Sequence, residues 1–338
     1  MSNELLKIKN LSTSFRIGDE YYAAVDDVTL TLNKNEVLGI VGESGSGKSA
    51  LAFSVMRLHT KAKIEGEVLL NNQDIVTMPK SKLDKIRGDE MAMIFQDPLT
   101  ALNPLTPIGG QIEETLFLHN RKLGQQGRKK RAVELLDLVG IPNAERVFEQ
   151  FPHELSGGMR QRVIIAIAIA NDPKLLIADE PTTALDVTIQ AQILDLIREL
   201  KEKIHAGIIL ITHDLGVVAE MADRVAVMYA GQIVEIASVE KLFENPLHPY
   251  TRSLLNSVPV EGQDTLHVIQ GVVPSLKNLP REGCRFAARI PWVDASAHEE
   301  NPTMHEVESG HFVRCTCHEH FYIPDQNEEK GEQSNGIS

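Results

Sequence analysis

The sequence is short of cysteine, of positive charge and of long apolar runs. Its three cysteines, Cys284, Cys315 and Cys317, all fall near the end of a 338-residue chain. An odd, late set of that kind excludes a disulfide framework. Lys and Arg number 34 against 47 Asp and Glu, a formal charge of −13. So acidic a chain is a poor non-specific partner for nucleic acid, and none is expected. No apolar stretch approaches the roughly 20 residues that span a bilayer. The longest, "VIIAIAIA" from Val163 to Ala170, makes about two turns. "MSNELLKIKN" carries Glu4, Lys7 and Lys9 and no apolar core, so no signal peptide is expected and the chain should fold in the cytosol.

What is present is an alternation of strand and helix patterns. Leu5 to Ile17 alternates and turns at Gly18-Asp19. "AAVDDVTLTLNKNEVLGIVG" reads as strands broken at Asn33-Lys34-Asn35, and "SALAFSVMRLH" follows as a helix. From about residue 98 to 170 the pattern turns helical, with amphipathic segments "GQIEETLFLHNRKL" and "RKKRAVELLDLVG" and a loop at Gly124 to Gly127. "KLLIAD" and "AGIILIT" suit strands buried on both faces of a mainly parallel sheet, with the helix "VTIQAQILDLIRELKEKI" between them. The result is an α/β core with a helical insertion over residues 1–240. A Pro-rich shift near Asn245 opens a smaller region, 241–325, and the polar stretch 326–338 reads as disordered.

"GESGSGKS" fits the phosphate-loop pattern G-x-x-x-x-G-K-[ST] between a strand and a helix. Gly42, Glu43, Ser44, Gly45, Ser46 and Gly47 present backbone N–H groups, and the helix start at Ala50 adds its dipole. Lys48 can reach β- and γ-phosphate, and the Ser49 hydroxyl can ligate Mg²⁺. In "LLIADEP", Asp179 leaves a buried strand where ligands bind in open α/β sheets, and it holds the Mg²⁺. Glu180 follows and can polarise an attacking water as a general base. His213 in "LITHD" lies at the same sheet edge, placed to contact the γ-phosphate. Gln96 in "MIFQDPL" senses Mg²⁺ and water without charge. A second glycine pair, Gly157-Gly158, follows Ser156 at another helix start in "HELSGGMRQRV". One nucleotide does not need two such loops so far apart.

Together these segments resemble the ATP-binding subunit of an ABC transporter over about residues 5 to 240. "GESGSGKS" matches Walker A, Gln96 the Q-loop, "LSGGMRQ" the signature, "LLIADE" Walker B, "TALD" ending at Asp186 the D-loop, and His213 the switch histidine. The resemblance implies a head-to-tail pair of cassettes. Each ATP then lies between one chain's phosphate loop and the other's Ser156, Gly157 and Gly158. It also implies an aromatic residue under adenine, for which Phe15 stands at the matching place; Tyr21 and Tyr22 are weaker candidates.

"FQDPLTALNPL" and "NPLHPYTRSLLNSVP" are similar to the D-type ATPases of oligopeptide and dipeptide importers. That similarity implies two integral membrane permease subunits, a second, non-identical ATPase, an extracellular peptide-binding protein, and a peripheral place on the cytoplasmic face of the membrane. Many such relatives hold an iron–sulfur cluster on four cysteines in the extension. Here Cys284 and Cys315 match two of them, and Ile290 and Ala297 replace the others, so a four-thiolate cluster is not available. Cys317, His318 and His320 with Cys284 form an alternative zinc set. Two rivals stay open: an importer ATPase for another solute, such as nickel or a small glycopeptide, and a soluble ABC-type ATPase.

Overall fold

Leu38 and Ile40 pack on one side of a strand and Val37 and Val41 on the other. That strand, β3 (Val37–Val41), is buried at every position. Strand side chains alternate faces, so a strand with no polar face lies between two packed layers. The computed structural model describes residues 3–183, 185–257 and 271–323. In it β1 (Glu4–Ile17), β2 (Glu20–Asn33), β4 (Ala62–Leu70) and β5 (Gln73–Asp74) form an antiparallel sheet in the order β2-β1-β4-β5. The larger sheet also holds β6 (Met91–Ile94), β7 (Leu175–Asp179), β8 (Gly207–Ile211), β9 (Arg224–Tyr229), β10 (Gln232–Ser238), β11 (Met304–Glu308) and β12 (His311–Arg314). Its order is β11-β12-β10-β9-β3-β8-β7-β6.

The five strands from β9 to β6 are parallel, as their continuous apolar runs require. One core lies between this sheet and the antiparallel one and takes Leu175, Ile177, Ile209 and Ile211. The other takes Leu176, Ala178, Ile208 and Leu210 against the helices. The helical insertion comprises Pro98–Ala101, Ile108–His119, Gln125–Leu138, Ala144–Phe148 and Gly157–Ala168. Its second long helix starts at Gln125, so Gly127 is helical and not part of the expected loop. The helix Val187–Ile204 buries Ile193, Leu194, Ile197 and Leu200 on one stripe.

The region after residue 240 shares the sheet and the core. β12 pairs with β10, and Phe286, Ile290, Val293 and Phe321 join the helix-side core. Glu235 on β10 is fully buried. It accepts from the backbone N–H groups of Leu247 and His248 at 2.8 Å each, and its Oε1 lies 2.8 Å from His311 Nε2 on β12. A buried carboxylate is stable only with such partners. The stretch 326–338 lies outside the described residues.

Candidate functional site

The phosphate loop leaves β3 and runs into the helix Lys48–Val55. A Cβ at Gly42 would meet the Met228 carbonyl oxygen at 2.1 Å, and one at Gly47 would meet the Ala24 carbonyl oxygen at 2.6 Å. Neighbouring backbone therefore admits only glycine at these two positions. Ser44 and Gly45 form the exposed tip, while Ser46 is buried beneath it. Lys48 Nζ lies inside the loop and donates to the Gly42 and Glu43 carbonyl oxygens at 2.7 and 3.0 Å. Burial lowers its pKa, while the charges of Glu180, Asp179 and Glu43 pull it back up.

Ser49 follows, and its hydroxyl donates to Asp179 Oδ1 at 3.1 Å across 130 positions of sequence. Burial raises the pKa of Asp179; the Ser49 hydrogen bond opposes it, Glu180 adds to it and Lys48 opposes it. A hydroxyl and a buried carboxylate side by side are the hard oxygen donors a magnesium ion takes, so the residues present fit that ion.

Glu180 begins the turn out of β7 with φ at +47°. A non-glycine residue there stores strain of order 1 kcal/mol, which the surroundings must hold. Its N–H donates to the Ile211 carbonyl at 2.9 Å. Gln96 Nε2 and Thr183 Oγ1 both donate to Glu180 Oε2 at 2.8 Å, and His213 Nδ1 lies 3.5 Å from Oε1. β6, β7 and β8 thus deliver Gln96, Asp179–Glu180 and His213 to one edge of the sheet. Thr183 is a partner that sequence reasoning passed over. Its only signal is its place three residues after Glu180 in a turn.

Ser156, Gly157 and Gly158 form the start of another helix. Ser156 caps the helix Gly157–Ala168, its hydroxyl accepting from Met159 N–H at 3.3 Å. A Cβ at Gly158 would lie 2.8 Å from Ile189 Cγ2, and one at Gly157 would lie 3.8 Å from Leu185 Cδ2. The second glycine pair therefore packs on the segment around Asp186. Asp186 itself caps the helix Val187–Ile204, accepting from Ile189 N–H at 3.0 Å.

Phe15 stands edge-on to His59 with ring centroids 4.9 Å apart, and His59 Nε2 is 3.1 Å from the Ala50 carbonyl oxygen. The ring is thus one contact from the start of the phosphate-loop helix. Tyr21 is exposed, and Tyr22 bonds Glu20 and lies under the Arg281 guanidinium.

The extension reaches the phosphate loop directly, which sequence reasoning missed. Tyr250, fully buried, accepts from Glu43 N–H at 2.7 Å. Arg289 pairs with the Glu43 carboxylate at 3.0 Å, 246 positions away. No local pattern carries such a contact. The cysteines also meet: Cys284, Cys315 and Cys317 converge with His298, whereas His318 Nδ1 lies 3.0 Å from the Cys315 carbonyl oxygen and His320 is exposed. The alternative zinc set read from sequence is corrected on that point. His298 is brought in by the fold of residues 284–317, and the two later histidines are not. Ile290 is buried among apolar side chains and Ala297 has no donor, so a four-thiolate cluster does not fit.

The chain is similar to known proteins over nearly its whole length. The family model described as ABC transporter matches residues 25–183, and the oligopeptide/dipeptide transporter C-terminal region matches residues 234–295. The oligopeptide transport ATP-binding protein OppD of Lactococcus lactis subsp. cremoris (strain SK11) is 55% identical over 337 residues, covering 98% of this chain and 99% of that protein. OppD of Bacillus subtilis (strain 168) is 51% identical over 316 residues, covering 92% and 88%. Among solved structures, the dimeric post-hydrolysis state of the ATP-binding cassette MJ0796 bound to ADP and Pi superposes with a TM-score of 0.63 at 32% identity. It spans 70% of this chain and 99% of that one.

Proposed function

This chain belongs to the ABC transporter family, in the branch of the oligopeptide transport ATP-binding proteins, and we propose that it hydrolyses ATP to drive peptide import through membrane permease subunits. The observation that carries the reading is the convergence of Lys48, Ser49, Asp179, Glu180, Gln96 and His213 at one sheet edge. Gly157 and Gly158 meanwhile face Leu185 and Ile189, next to the cap residue Ser156. The signature then serves the nucleotide of a second cassette, which we take to be a non-identical ATPase.

The phosphate-loop N–H groups and Lys48 bind the triphosphate and oppose the charge that develops on the γ-phosphoryl oxygens. When bound, a magnesium ion neutralises charge on the phosphate oxygens, and Ser49, Asp179 and Gln96 are the residues to hold it. Glu180 orients the attacking water and takes its proton. Gln96 and Thr183 fix one oxygen of that carboxylate, leaving Oε1 toward His213. Phe15 is the ring for adenine.

Gln96 also precedes the helical insertion, in which Leu105, Phe117 and Leu118 stay exposed, as does Phe95. We assign these exposed apolar side chains to contact with cytoplasmic loops of two integral permease subunits. Among the described residues no helix is long and apolar enough to cross a membrane. A peripheral place on the cytoplasmic face, with an extracellular peptide-binding protein across the membrane, completes the unit. We take residues 1–240 as the cassette and 241–325 as its extension.

The test is ATPase activity of the co-purified complex in liposomes, with and without a peptide-loaded binding protein. Stimulation by the loaded protein, lost on Glu180→Gln, is the expected result. Recovery of the chain without membrane partners, with ATPase indifferent to peptide, would sink the transport reading.

A further inference from the structure

We propose that Cys284, His298, Cys315 and Cys317 form a closed zinc site that fastens the extension beside the phosphate loop. The site rests on the extension's own geometry and not on the ATPase reading. One donor atom from each residue lies within 4.8 Å of every other. In a tetrahedral site with Zn–S of about 2.3 Å, neighbouring donors stand roughly 3.7 Å apart, so small side-chain movements complete the shell. Cys315 and Cys317 are buried and Cys284 is half-buried. The Nδ1 atom of His298 is buried with no hydrogen-bond partner among the described residues. A buried ring nitrogen without a partner is costly in a protein and cheap as a metal ligand.

The backbone around the cluster is arranged for it. Cys315 holds φ 71°, ψ 139°, a conformation that L-residues rarely adopt, just before the turn Thr316–Glu319. Glu299, next to His298, accepts from Thr316 N–H at 2.9 Å and lies 2.8 Å from His305 Nε2, which ties the histidine segment to the cysteine turn. Three sulfurs and one imidazole select a borderline-soft ion in tetrahedral geometry and disfavour magnesium or calcium. Binding releases three thiol protons to solvent and leaves the imidazole neutral, giving a site of net charge −1. No electron is transferred.

The consequence runs along the chain. Arg285, next to Cys284, bonds the Ala230 carbonyl and pairs with Asp26. Arg289 pairs with Glu43 in the phosphate loop. Fastening Cys284 therefore holds both arginines against the cassette.

The experiment uses the full chain, purified without a polyhistidine tag under reducing conditions, with metal content by mass spectrometry. One zinc per chain is expected. After mild chelation, Co²⁺ should restore a thiolate-to-metal charge-transfer band and the visible bands of a tetrahedral site. His298→Gln should weaken zinc binding at least about tenfold and shift those bands, by analogy with the loss seen when a metal's supporting shell is changed. His318→Ala and His320→Ala should leave both unchanged. If Cys317→Ser fails to fold, thiol counting on the unaltered chain still decides: three thiols protected until a chelator is added support the site. Iron with acid-labile sulfide, three thiols that titrate freely with no metal bound, or zinc lost on His318→Ala but not on His298→Gln would each overturn it.

Discussion

Glu180 is the residue whose surroundings say most about its role. Its carboxylate has two hydrogen-bond donors on one oxygen and His213 near the other, on a backbone turned to positive φ. Glu180→Gln keeps the shape and removes the proposed base. Hydrolysis is expected to fall by roughly 10²- to 10⁴-fold with ATP binding retained, read by single-turnover kinetics and nucleotide trapping. Rapid steady-state turnover in that variant would remove the general-base assignment. Arg289 acts at a distance from the reacting atoms. Arg289→Ala strips a charge-assisted bond from partly buried Glu43, an effect of about 1.5–3 kcal/mol. A lower unfolding midpoint and weaker ATP binding are expected, measured by denaturant titration and calorimetry. Unchanged ATP affinity would show that the loop does not need this support.

At the level of elements, the second glycine of the signature, Gly158, is explained by packing rather than by backbone conformation. Gly158 sits inside a helix, and its missing side chain is what lets the helix Val187–Ile204 approach. Gly158→Val should therefore displace the Ile189 segment and, with it, Asp186. Overpacking of this kind costs typically 1–3 kcal/mol. Ser156→Arg, on an exposed cap, should leave this chain's own nucleotide binding intact and reduce hydrolysis in the partner's site. Mixed complexes with one altered subunit would read this. Equal loss at both sites would count against a shared site. The strands β3, β7 and β8 were legible in advance because all-apolar runs of five have few other places to go. The start of the helix at Gln125 was not, because Gly127 reads as a turn residue until the helix has neighbours to pack on.

For the molecule as a whole, the extension is part of the cassette's packing and not an appendage. β12 extends the main sheet, and Glu235 holds both the start of the extension and His311. His248 lies in that seam, fully buried, and its Nδ1 accepts from Tyr250 N–H at 3.0 Å. Burial pushes its pKa from 6.5 down to about 4, against the pull of Glu235. The unfolded chain therefore binds more protons between these values. Stability is complete above about pH 6.5 and is lost as pH falls toward 4, by up to roughly 3 kcal/mol from this group. Denaturant midpoints from pH 7 to pH 5 should show that slope, and His248→Gln should flatten it. An unchanged slope in the variant would place the proton uptake elsewhere.

Residue order and spacing were enough for the phosphate loop, the acidic pair after β7, the order of the nucleotide-site segments and the α/β class, and the count of three cysteines excluded four-cysteine ligation. The phosphate loop and the acidic pair depend on spacing along a few residues, where a strand, a turn and a helix start dictate where a lysine or carboxylate can point. The class and the cysteine count need only the pattern and composition of the chain. It took the folded chain to show that Tyr250 and Arg289 hold Glu43, that Thr183 shares Glu180 with Gln96, and that His298 rather than His318 or His320 joins the cysteines. Those contacts join residues through packing. Apart from the Thr183 bond, they depend on how far separate elements rotate and approach once their apolar faces are buried. A short-range pattern carries no record of that.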